Sequence, residues 1–213
     1  FGAFIQHAWN PDNRRFRNFM GFNRQWLEPA GSEDSHGRTL WALGACTQQS
    51  GNPARARWAT HLFAEALKSV SSFTSPRAWA FVLLGLDAYC RAHPEDIAAK
   101  TDRGLLARKL EGLLLSTESP GWIWFEDRLT YDNARLCEAA IRTGGATGER
   151  RLVDAGLRSL RWLLAMQTAP EGHFRPIGSH GFMMSRSPPL AFDQQPLEAC
   201  ATIAACVAAN EVD

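Results

Sequence analysis

From residue 33 to residue 209 the chain repeats one pattern of polar and apolar positions. A polar, charge-bearing cluster precedes a run rich in small residues, whose apolar positions fall three and four apart. A second helical run then follows. The clusters are Glu33-Asp34-Ser35-His36-Gly37-Arg38, Ser75-Pro76-Arg77-Ala78-Trp79, Tyr131-Asp132-Asn133-Ala134-Arg135 and Asp193-Gln194-Gln195-Pro196-Leu197-Glu198. The pattern predicts seven helices. The first starts near Ser32–Asp34 and carries Leu40, Trp41, Leu43, Gly44 and Cys46, until Gly51-Asn52-Pro53 stops it. The second spans Ala54 to Val70, with Pro at its first turn. Ser75-Pro76 opens the third and His93-Pro94 ends it; the fourth runs from about Glu95 to Leu115. Ser119-Pro120-Gly121 then breaks the period, and Trp122-Ile123-Trp124-Phe125 reads as extended. Asp132 is the expected cap of a fifth helix, Asn133 to Thr143, which Gly144, Gly145 and Gly148 turn into a sixth, Glu149 to Met166. A Gly/Pro/Ser loop covers about 170–190, and the seventh helix runs from Gln195-Pro196 to Ala209. Residues 1–32 have no clean period and predict a strap or short hairpin.

These elements predict an all-α fold, an (α/α) toroid of antiparallel helical hairpins in one domain over 1–213, with 1–32 as strap and 33–213 as hairpins. Inner helices of a toroid run parallel, so the four clusters are expected at one rim. Small residues at Gly44, Ala45, Gly85, Ala139, Ala140, Ala201, Ala204 and Ala205 suit close approach of the inner helices. Seven helices leave the last without a partner, which predicts an incomplete (α/α)6 barrel. The chain starts without Met, and the expectation is a piece of a longer protein or association with another copy through an open helical edge.

The 213 residues suffice for one real core, and a net charge of +1 gives no global field toward nucleic acid or membrane. Arg14, Arg15, Arg17 and Arg24 alternate with Phe16, Phe19, Phe22 and Trp26, a mixture that also binds single strands, but no RNA-binding motif accompanies it. No apolar run reaches a membrane span. Cys46, Cys90, Cys137, Cys200 and Cys206 form no CxxC and sit in apolar helical contexts; free thiols in a reducing, cytoplasmic compartment are expected. No HExxH, EF-hand loop, P-loop, GxGxxG or GxSxG occurs, so no metal and no cofactor is expected.

Asp34, Asp132 and Asp193 each stand at a predicted helix start, where an Asp cap stabilises by roughly 1 kcal/mol. Capping explains each singly. Together with Arg38, Arg135, Gln194, Gln195 and Glu198 they make a denser polar collection than capping needs. Trp122 and Trp124, followed by Glu126 and Asp127, add the flat rings and acids of a sugar site, with packing as the plainer role of the rings. The catalytic candidates are Asp34, Glu126, Asp132 and Asp193. The substrate-binding candidates are His36, Arg38, Trp122, Trp124, Asn133, Arg135, Gln194, Gln195 and Glu198. His36 is equally read as a satisfied structural histidine; His173 and His180 flank the long loop and are weaker candidates.

Arg15-Phe16-Arg17-Asn18-Phe19-Met20, Trp26-Leu27, Gly31 to Arg38 and Leu40 to Gly44 carry a resemblance. So do Leu129 to Leu136 (LTYDNARL) and Phe192 to Ala199 (FDQQPLEA). The chain resembles a bacterial family of helical toroid proteins in the six-hairpin glycosidase-like superfamily, often labelled glycosyltransferase from genome context beside mannoside-processing genes. The resemblance implies the toroid, further hairpins beyond Asp213 and a saccharide ligand. The expected function is glycoside hydrolysis or related glycan processing by rim carboxylates. The alternatives are a non-catalytic sugar-binding partner of a glycosyltransferase and a sugar epimerase or isomerase.

Overall fold

A computed structural model describes residues 1–179, 185, 186, 190 and 192–212. Among the described residues the chain is all-α apart from one two-stranded ribbon. It forms two compact units, Phe1–Leu106 and Ala107–Asp213.

In the first unit, helix α1 (Gly2–Ala8) leads into strands β1 (Trp9–Asn10) and β2 (Arg15–Phe16), which pair antiparallel with Trp9 opposite Phe16. The expected hairpin is therefore present. The helix before it was not legible, because Phe4 and Ile5 give it no buried stripe. Helix α2 (Glu33–Gln49) starts at Ser32, whose side chain accepts the Ser35 N–H at 3.1 Å. Asn52 caps α3 (Pro53–Leu67) by accepting from Ala54 and Arg55, and a 3-10 turn at Val70–Ser72 takes the end given to this helix by the pattern. Ser75 caps α4 (Pro76–Ala92), with Pro76 in the first turn.

Glycine sets the spacing of α2 and α4. A Cβ on Gly44 would lie 2.2 Å from the Gly85 carbonyl oxygen, and one on Gly85 would lie 2.7 Å from the Leu40 oxygen. Gly37 faces Ala78 as Gly44 faces Gly85, so the two helices run parallel. Helix α3 runs antiparallel to α2: Ala66 reaches His36, while Arg55 and Trp58 share a cavity wall with Cys46. Leu40, Phe63, Phe81, Leu83 and Leu86 fill the core, with Phe63 stacked on Tyr89 at 4.2 Å.

Helix α5 (Ile97–Thr117) crosses the boundary of the units. In the second unit, Ser119 and Trp122 exchange backbone hydrogen bonds around Pro120 and Gly121, whose φ of +81° only glycine adopts freely. Helix α6 (Ala134–Thr147) ends at Gly148, φ +73°. The left-handed cap falls there alone, so Gly144 and Gly145 stay helical. Helix α7 (Arg150–Met166) returns antiparallel, with Gly144 against Val153 and Gly156 against Ala140 and Ile141. Helix α8 (Pro196–Asn210) runs parallel to α6, with Glu198 beside Asn133 at one end and Glu211 beside Arg142 at the other. Each unit thus holds two parallel helices linked through an antiparallel one.

None of the three acids expected as caps is one. Ser32 caps α2, leaving Asp34 in its first turn; Asn133 and Gln195 occupy the cap positions of α6 and α8. Asp132 and Asp193 instead precede those caps in left-handed conformations, φ +54° and +60°.

Candidate functional site

Parallel helices bring their N-terminal clusters together, and each unit joins its two clusters with a glutamate. In the first unit the Glu33 carboxylate accepts the Thr74 and Ser75 N–H groups at 2.9 and 2.7 Å, just ahead of α4. In the second, the Glu198 carboxylate accepts the Asp132 N–H, the Asn133 N–H at 3.3 Å and the Asn133 Nδ2–H at 3.0 Å. Free amides at a helix start attract an acceptor, and here the neighbouring helix supplies it.

The second junction is the more buried. Asp132 and Asn133 are fully enclosed and Glu198 is 1% exposed. Burial pushes the Glu198 carboxyl above the usual carboxylate range; its three N–H donors oppose that, and the nearby Asp132 charge adds to it. The Asn133 side chain accepts from the Thr130 N–H and donates to the Thr130 carbonyl, so the Thr130–Asn133 turn is closed on itself. Arg135 reaches Asp132 Oδ1 at 3.4 Å, Glu138 at 2.5 Å and the Cys200 Sγ at 3.6 Å. Glu138 takes a second hydrogen bond from Arg142, which continues to Glu211. The result is a string of alternating charge that starts at Asp132 and runs along α6, buried at Asp132, Arg135 and Glu138 and reaching the surface through Arg142 and Glu211.

The structure therefore gathers Asp132, Asn133, Arg135 and Glu198 into one cluster. Asp193, Gln194 and Gln195 lie on the exposed segment that enters α8, held by a Gly178–Gln194 bridge and by Ser179, which donates to the Asp193 carbonyl. Glu126 is half-buried on the segment before α6, and exposed Asp127 pairs with Arg128, whose hydrogen bond holds its carboxyl below the usual range. Sequence reasoning missed Glu33, Glu138 and Arg142. Glu138 was findable, since it stands three residues after Arg135 and four before Arg142.

For three candidates the structure favours the plainer of their two readings. Trp122 and Trp124 are 6% and 0% exposed and pack on Trp162 at 4.9 and 5.8 Å. Both rings are packed into the unit through Trp162, Trp122 edge-on and Trp124 stacked, and present little surface to a sugar. Trp122 Nε1 donates to the Glu126 carbonyl, and Trp124 Nε1 has no acceptor among the described residues. His36 is likewise a core residue. Its Nε2–H donates to the Ala66 carbonyl at 3.1 Å, its Nδ1 faces the Phe16 N–H at 3.4 Å, and its ring sits between Phe16 and Phe73. Burial holds it neutral, its pKa down to about 3.

In the first unit Asp34 and Arg38 pair at 2.9 Å, with the guanidinium over the Phe81 ring at 4.1 Å and Trp41 stacked on the same ring system. His173 is exposed, and His180 lies outside the described residues. Among the described residues no three His, Cys, Asp or Glu side chains come together as a metal site, and no helix is long and apolar enough to cross a membrane. All five cysteines are free thiols. No protein-family model matches the chain, and no curated protein matches it.

Proposed function

We propose that this chain is a carbohydrate-active enzyme of the glycoside hydrolase or related glycan-processing class, built on an (α/α) toroid. The repeated unit of two parallel helices and one antiparallel helix supports the toroid, as does the resemblance of the GSEDSHGR, LTYDNARL and FDQQPLEA segments to six-hairpin glycosidase-like proteins. One observation carries the chemistry. Asp132 is fully buried, sits at φ +54°, and is gripped through its own N–H by Glu198. Asp adopts that conformation readily; what sets Asp132 apart is a fully enclosed carboxylate set between the Glu198 junction and the Arg135 guanidinium.

In this reading Asp132 is the base that draws a proton from water or a sugar hydroxyl, with the Arg135 guanidinium 3.4 Å away to orient it. Hydrolysis also needs a carboxyl that donates a proton to the leaving oxygen. Glu126 and Asp193, on the segments that enter α6 and α8, are the candidates in the same unit. Gln194 and Gln195 bind hydroxyls, while Asn133 and Glu198 position Asp132. Five free thiols support a reducing compartment for the protein.

The test is a saccharide panel, mannosides and glucosides included, read by thermal shift and by chromatography of products, with Asp132→Asn in parallel. The expected result is a stabilising saccharide that the wild type converts, and a loss of at least about 100-fold in the variant with its fold intact. Full turnover by the variant removes Asp132 from the chemistry. Binding without product in the wild type makes the chain a non-catalytic sugar-binding protein. Neither binding nor product ends the carbohydrate reading.

A further inference from the structure

Arg55 and Trp58 stand three residues apart on α3 and so share one face of that helix, across from Cys46 in the last turn of α2. With Gln6 and Gly2 of α1 they wall a cavity of about 700 Å³, which Phe1 and Ala3 complete. Every one of these residues belongs to the first unit. The cavity lies toward the far end of α2 from the Asp34–Arg38 pair, about 18 Å along the helix by its rise per residue. The indole of Trp58 is held at two points. Its Nε1–H donates to Gln6 Oε1 at 2.7 Å, and its six-membered ring lies 3.5 Å from the place of a Cβ on Gly2.

The polar side chains of this wall are donors. An indole N–H only donates, so the Gln6 oxygen is committed to Trp58 and its amide nitrogen is left to donate. The Arg55 guanidinium is exposed and has no ion-pair partner among the described residues. The lining segments 1–8 and 44–60 contain Arg55 and Arg57 and no Asp or Glu. A cavity that offers donors and a cation, with no acid beside them in its lining segments, selects an anion. The rest of the wall is apolar, which leaves the hydroxyls of a sugar too few partners and suits a flat ring instead. We propose that the cavity binds a planar aromatic carboxylate, its ring against the Trp58 indole and its carboxylate on the Arg55 guanidinium and the Gln6 amide. The volume lies within the ~300–1,000 Å³ of small-molecule sites. Arginine suits the task because its planar fork matches a carboxylate.

Calorimetric titration with 2-naphthoate is expected to show one site, and its uncharged counterpart 2-naphthamide is expected to bind at least about fivefold more weakly. Arg55→Gln is expected to lose the same factor of about five for naphthoate and to bind the amide as the wild type does. Arg55 is exposed, so this variant folds, which circular dichroism verifies. Cys46 reports the place of binding. Naphthoate is expected to slow its alkylation by iodoacetamide, read by peptide mass spectrometry, while Cys200 and Cys206 in the second unit react unchanged. The proposal is overturned by no binding at millimolar naphthoate, by equal affinity for naphthamide, by an Arg55→Gln variant that binds naphthoate as the wild type does, or by an unprotected Cys46. Inorganic phosphate that displaces naphthoate at equal concentration also overturns it, since the site then takes a small anion without a ring. No readout here uses turnover, so the outcome is independent of the saccharide reading.

Discussion

At the scale of single residues, His36 shows how burial rewrites a side chain's chemistry. The sequence puts it in the densest polar cluster of the chain, and an imidazole there suits acid–base work. The fold turns the ring inward, between Phe16 and Phe73, with both nitrogens engaged by the backbone. Nothing local in the sequence separates these outcomes, because the deciding contacts come from residues 20 to 37 positions away. The burial has a measurable consequence. The folded pKa is depressed to about 3 from 6.5, so the unfolded chain binds the extra proton. Stability from this source is complete above pH 6.5 and is lost as pH falls toward 3. The slope is about 1.4 kcal/mol per pH unit, or about 2 kcal/mol at pH 5. Urea denaturation of the wild type and His36→Gln across that range is expected to show a lower but flatter curve for the variant. An unchanged slope would place the titrating group elsewhere. Glu198 has the opposite sign. Its raised pKa means the folded state holds the proton more tightly, so its contribution is present at low pH and is lost as pH rises through the folded pKa. Glu198→Ala leaves the buried Asp132 and Asn133 amides without their acceptor and is expected to cost about 1–3 kcal/mol in denaturant unfolding at neutral pH.

At the scale of elements, helix starts were legible where chemistry is local. Asn52-Pro53 and Ser75-Pro76 act as caps through hydroxyl or amide groups two or three residues from the amides they serve. Asp132 and Asp193 misled because Asp suits both a cap and a left-handed residue, and composition does not tell the two apart. The glutamate junctions were hidden for another reason: Glu33 reaches across 41 positions and Glu198 across 66, and only the parallel packing of α2 with α4 and α6 with α8 brings them home. That packing depends on bare glycine. A methyl at Gly44 or Gly85 meets backbone rather than a flexible side chain, so α2 and α4 must separate along their length. Gly44→Ala is therefore expected to cost about 1–3 kcal/mol or more, despite the better helix propensity of alanine. A thermal midpoint equal to that of the wild type would show that the helices are not held so close in solution.

At the scale of the whole molecule, the two units carry their stability in different currencies. The first has an apolar core around Phe63, Phe81 and Leu83. The second adds a charge string, Asp132–Arg135–Glu138–Arg142, buried over its first three members, in which each acid faces an arginine. Breaking such a string by removing one member strands the rest, at a cost of about 3–5 kcal/mol, whereas replacing the whole set with apolar groups costs far less. Arg135→Leu leaves Asp132 and Glu138 buried without that guanidinium. Native-state hydrogen exchange locates the damage, since amides report the free energy of opening their own cooperative unit. The expected result is a loss of protection of at least about a hundredfold in α6, α7 and α8, with α2 and α4 unchanged. Equal loss in both sets of helices would mean that the chain opens as one cooperative unit despite its two cores. Protection unchanged throughout would mean that the string adds nothing to stability, and that its role lies in positioning Asp132 alone.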